Sequence, residues 1–209
     1  MARVSNPLIG RSRNKIGNVV FSTWKGINVL KEKPATVANP RTDGQVSQRS
    51  AFSQIVAIAR QILAAVQVSF RQQAIEMSAY NAFVKHNLTE AFTISGGTAT
   101  FVPENMVASK GTLPGIEDFA KDALTDRDLD VLWEDNSSTY GASEVDRFHA
   151  VVVSADGLHV EHVFTNIQRA DEAATISIPG SWSLTGARCL GYFVNADGSK
   201  SSDSVNIAV

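Results

Sequence analysis

The chain has 209 residues, 44% of them hydrophobic and 19% charged, which excludes a wholly disordered protein and leaves enough apolar material for a real core. No run approaches 18 apolar residues and residues 1–9 hold no apolar h-region, so the expectations are no membrane span, no secretory signal and synthesis in the cytoplasm. The net charge of −2 hides a split: residues 1–75 carry 11 Lys+Arg against 2 Asp+Glu, and residues 76–209 carry 8 against 19.

Residues 1–17 read as an extended basic arm bearing Arg3, Arg11, Arg13 and Lys15, with breaks at Gly10 and Gly17. Two β-rich runs follow, 18–24 and 27–31, around Lys25-Gly26, and predict a hairpin. Pro34, Asn39 and Pro40 then enforce an extended linker. Thr42 or Asp43 is placed to cap a long helix. Phe52, Ile55, Val56, Ala59, Ile62, Leu63 and Val66 lie on one side of that helix by their spacing. Ser78 is placed to cap a shorter helix with Tyr80, Phe83 and Val84 on one face, so the two predict a helical hairpin.

From about residue 98 the period changes to two. Strands are predicted over 98–102, 106–110, 128–134, 148–155, 158–165, 174–179, 187–195 and 203–209, separated by Gly- and Pro-containing turns. The fold class expected is α+β: basic arm, β-hairpin and helical hairpin over 1–97, then an antiparallel β-sandwich over 98–209.

Leu129-Asp130-Val131-Leu132-Trp133 resembles the second strand of a fibronectin type III-like domain, where a Trp fills the inter-sheet core. Tyr192–Gly198, followed by Ser201-Ser202, resembles its last hairpin, giving a fibronectin III/Ig-like expectation. Further residues run through the whole chain: Gly17-x-Val19-Val20 with Trp24-Lys25-Gly26, Asn39-Pro40-x-Thr42 with Gln45 and Arg49, Tyr80-Asn81-Ala82-Phe83, Ser109-Lys110-Gly111 and Leu113-Pro114-Gly115. On these the chain resembles a domain-of-unknown-function family of Bacteroidota genomes and their mobile elements. That resemblance implies an architecture and no activity. The Asn-Pro-x-Thr stretch before a Gln/Arg-bearing helix also resembles short phage-associated proteins.

Chemistry-bearing motifs are few. His159-Val160-Glu161-His162 puts His159 and Glu161 on one face of a strand and His162 on the other, which reads as solvated strand histidines rather than a metal site. Asp126, Asp128 and Asp130 have calcium-loop spacing, but Val131 replaces the turn glycine and Ser137 the final Glu, so an acidic strand edge is expected. Cys189, the single cysteine, excludes an intrachain disulfide and reads as core packing. No nucleophile elbow, P-loop or dinucleotide fingerprint is present, so no catalytic, metal or cofactor-binding residue is assigned and no cofactor or small-molecule substrate is expected.

The expectation for function is a non-enzymatic structural protein that self-assembles, as a phage particle or filament component. Its partners would be further copies of the chain or other particle proteins, with no membrane, and its location could include a virion. Val20, Phe21, Trp24, Ile27 and Val29 are the expected assembly contacts. The alternative is nucleic-acid binding through Arg3, Arg11, Arg13, Lys15, Lys25, Lys31, Arg41 and Arg49, with aromatic residues stacking on bases.

Overall fold

The computed structural model describes residues 2–3, 14–24, 27–36, 39–180 and 182–209. By compactness the chain divides after Arg41. The division therefore falls at the Asn39-Pro40 linker, and segments 42–97 and 98–209 lie in one unit. Helices and strands both contribute, and the fold is α+β.

The first unit is a four-stranded antiparallel sheet. Its strands are β1 (Ala2–Arg3), β2 (Asn14–Ile16), β3 (Val19–Trp24) and β4 (Ile27–Glu32), in the order β1-β4-β3-β2. The predicted hairpin is β3–β4. The arm is not simply extended chain, because two short pieces of it pair onto the hairpin's edges and satisfy backbone groups that a bare hairpin leaves open. Gly17 has φ of +57°, the left-handed conformation that a two-residue turn between β2 and β3 requires.

The second unit begins with α1 (Asp43–Gln61) and α2 (Leu63–Ser69), then α3 (Ala79–Glu90). The expected single long helix is broken at Ile62, where the axis turns by 90°. Ile55, Ala59, Ile62 and Val66 are buried, joined by Ala51 and Ile58, whereas Phe52 and Leu63 are exposed. Thr42 is the N-cap residue of α1 by conformation, with its carbonyl accepting from Gln45 and Val46. Ser78 caps α3 as predicted: the Asn81 N–H donates to Ser78 Oγ at 3.2 Å.

A small hairpin, β5 (Phe92–Ser95) and β6 (Thr98–Phe101), packs on α1. Residues 106–110, predicted as a strand, run instead as a loop held by side chains. Asn87 Nδ2 donates to the Val107 carbonyl, the Val107 N–H donates to Asn87 Oδ1, and Ser109 Oγ donates to the Ser202 carbonyl at 2.6 Å. These bonds replace a ladder and seal the loop against both α3 and the strands.

The remaining strands are β7 (Glu117–Thr125), β8 (Asp128–Glu134), β9 (Arg147–Val153), β10 (Val160–Gln168), β11 (Ala173–Ser177), β12 (Arg188–Val194) and β13 (Val205–Ala208). They form a four-stranded antiparallel sheet, β10-β9-β12-β13, and a three-stranded one, β11-β8-β7. The two share an apolar core of Phe119, Leu129, Val131, Trp133, Phe148, Val152, Ile176 and Phe193. Trp133, 4% exposed, stacks on Phe148 at 4.6 Å and meets Phe193 edge-on at 5.9 Å. Its neighbour on β12 is thus Phe193. Tyr192, one residue earlier, points to the opposite face, as alternation requires.

That opposite face is covered by the helices. Val151, Val153, Leu190, Tyr192 and Val194 pack with Ile55, Ile58, Val66, Phe70 and Phe83. Strands β9 and β12 are therefore buried on both sides, which explains their continuous apolar runs, whereas β8 alternates because its outer face meets solvent. Gly191 is required by this packing: a Cβ there would lie 2.7 Å from Phe119 Cζ.

Candidate functional site

Register divides the amino-terminal sheet into two chemically different faces. Val20 pairs with both Lys15 and Lys31, Val29 pairs with Arg3 and Ser22, and Trp24 pairs with Ile27. Directly paired residues share a face, so Lys15, Val20, Ile27, Val29 and Lys31 occupy one side. Phe21 pairs with Asn14 and Leu30 and belongs to the other side, with Ile16, Val19 and Glu32. The sequence reading grouped Phe21 with Trp24. The pairing separates them, because they are an odd number of residues apart on one strand.

Val20, Phe21, Ile27 and Val29 are half-buried, and Lys15 and Lys31 are exposed. No described residue of the first 41 is buried. Arg11, Arg13 and Lys25 lie outside the described residues. Arg41 is exposed in the linker, and Arg49 is exposed on α1 in the second unit.

The three-stranded sheet has the opposite character. Residues 117–135 carry eight Asp+Glu against two Lys+Arg. On β8 the outward positions are Asp128, Asp130, Leu132 and Glu134. Ser177 Oγ donates to Asp128 Oδ1 at 2.5 Å and Thr175 Oγ1 to Asp130 Oδ1 at 2.6 Å, fixing both carboxylates on the surface. An extended strand sets these two acids side by side along one face instead of wrapping them around a central ion, and Asp126 sits in the preceding turn with φ of +55°. Leu132 is 41% exposed and is flanked across the sheet by Ala120 and Ala173. Beside it opens a groove of about 470 Å³ lined by Asp122, Asp130, Leu132, Ile167, Ala173 and Thr175.

Two buried polar groups escaped the sequence reading. Arg169 is fully buried; its guanidinium donates to Asp146 Oδ2 at 3.1 Å, to the Pro114 carbonyl at 3.1 Å and to Asn136 Oδ1, and lies 3.9 Å from the Phe193 ring. Its carbonyl accepts from Trp133 Nε1 at 2.8 Å. The second is a histidine pair. His149 Nδ1 lies 3.3 Å from His162 Nε2, the rings 15° apart in plane, and Tyr192 Oη lies 3.2 Å from the same His162 nitrogen. Burial lowers His149 to about 4 and His162 to about 3, so both are neutral near pH 7. The solvated reading thus suits His159, which is exposed, and fails for His162. Its signal was not local: His149, His162 and Tyr192 sit on three different strands.

Cys189 is completely buried, and burial pushes its thiol up to about 12, away from the reactive thiolate. Two further cavities measure about 280 Å³, beside Phe70, Met77, Lys85, His86 and Lys110, and about 270 Å³, beside Asp156, His159 and Trp182. Among the described residues no group of three His, Cys, Asp or Glu side chains is placed to hold a metal ion. No single described helix is long and apolar enough to cross a membrane.

A family model covers residues 10–208, from the amino-terminal sheet to the last strand. The chain belongs to the family of unknown function DUF6266. The match spans both units, so the basic sheet and the acidic body are parts of one family pattern. No curated protein matches the chain.

Proposed function

We propose that this DUF6266 member is a non-enzymatic structural subunit that assembles with copies of itself, of the kind that builds a phage particle or filament. One observation carries the reading. The amino-terminal sheet has no buried residue among those described and bears apolar side chains on both faces. Its 41-residue segment holds eight Lys+Arg against one Asp+Glu, on a chain whose other residues hold 11 against 20. A sheet this small cannot bury its own apolar area, and a second subunit can cover it.

Size-exclusion chromatography with light scattering, recorded with the 260/280 nm absorbance ratio over a salt series, tests this. The expected result is an oligomer free of nucleic acid that persists as salt rises, since apolar contact survives screening. A monomer at high concentration would overturn the reading. The grouping of Lys15 and Lys31 on one face favours a second reading, nucleic-acid binding. That reading expects a raised absorbance ratio and binding that weakens steeply with salt.

A further inference from the structure

We infer that the cationic face of the amino-terminal sheet docks on the acidic outer face of the three-stranded sheet of a second copy. This rests on the self-assembly reading above and names the two surfaces that meet. Each places apolar residues beside charged ones, and the charges have opposite sign. On one, Val20 lies between Lys15 and Lys31, and Val29 and Ile27 continue the same face along β4 at two-residue steps from Lys31. On the other, Leu132 stands between Ala120 and Ala173, with Asp128, Asp130 and Glu134 along the same strand face.

Lys15 and Lys31 flank Val20 across three adjacent strands, so their Cα atoms are roughly 10 Å apart. Asp128 and Asp130 stand one two-residue step apart, roughly 6.6 Å, and Glu134 lies four residues beyond Asp130 on the far side of Leu132. Asp128 and Asp130 each accept one hydroxyl hydrogen bond and retain lone pairs for an incoming ammonium group. Apolar burial holds such a contact, and the charges set its orientation and encounter rate. Each copy owns one surface of each kind, so the contact is heterologous and generates rings or filaments.

Charge reversal gives the test. Lys15→Glu/Lys31→Glu and Asp128→Lys/Asp130→Lys are made separately in the full chain and checked for folding by circular dichroism. Light scattering at low ionic strength is expected to show each variant alone shifted to monomer. Mixing the two is expected to restore assembly, because each then offers the other a matched pair of faces. A second pair, Val20→Cys and Leu132→Cys in one chain, is expected to give a ladder of disulfide-linked multimers on a non-reducing gel. Cys189 stays silent because it is buried.

A wild-type oligomer that both reversals leave intact overturns this interface and spares self-assembly. Wild-type monomer at high concentration overturns both. Intrachain cross-linking without a ladder overturns the second copy as occupant. Loss of bound nucleic acid in the lysine variant alone assigns the cationic face to nucleic acid instead.

Discussion

The two units hold themselves together in different ways. Residues 42–209 sandwich their central sheet between helices and a second sheet, and most of its central strand residues are buried. Residues 1–41 form a sheet as wide in strands, yet none of its described residues is buried. Strand number does not confer stability; coverage of the faces does. The contrast leads us to expect a body that is stable by itself and a basic sheet that needs a cover.

The sharpest way to break that contrast is to damage the body. Arg169→Met leaves Asp146 buried without its partner and is expected to cost about 3–5 kcal/mol, the range for breaking a buried ion pair. Trp133→Ala is expected to cost about 3–5 kcal/mol as a large-to-small core change. Urea denaturation monitored by circular dichroism reads both. The effects will not add when combined, because the indole donates directly to the Arg169 carbonyl.

A smaller effect comes from pH. His149 and His162 titrate lower in the folded body than their ordinary 6.5. The unfolded chain therefore binds more protons as the pH drops, and stability falls with it. Their contribution is whole above pH 6.5 and is lost progressively toward pH 4 and then 3. Thermal melts across that range are expected to show the loss, with a shallower slope in His162→Phe. An unchanged slope would remove these imidazoles from the account.

The smallest effect is expected from deleting residues 1–41. The remaining body should melt within about 1 kcal/mol of the full chain under conditions that prevent assembly, since its two apolar cores contain no described residue of the first unit. A large loss would show that the sheet and the body stabilise one another.

Legibility in the sequence follows the same contrast. β8 was readable because one buried face imposes alternation, and β9 and β12 because burial on both faces leaves an apolar run. β7 was not, since two register shifts and a positive φ at Asp118 destroy its period. The break at Ile62 carries neither glycine nor proline, so a straight helix was the natural expectation. For the candidate surface, the residue types were legible but their faces were not. Which residues of β2 and β4 share a side with Val20 depends on the register between strands, whereas alternation within β3 alone separates the positions of Phe21 and Trp24. Arg169 and the histidine pair depend on contacts between distant strands, which no local pattern encodes.

The double coverage of β9 and β12 also bears on how the chain is made. Phe148–Val153 and Cys189–Val194 are short, apolar and free of proline, the profile of segments that pair with other chains when left open. In the native body they pair with each other. During synthesis β9 emerges well before β12, so it waits with one ladder edge unsatisfied and no finished sheet beside it. The hazard belongs to the ribosome-bound interval, and it closes when the strand carrying Phe193 arrives.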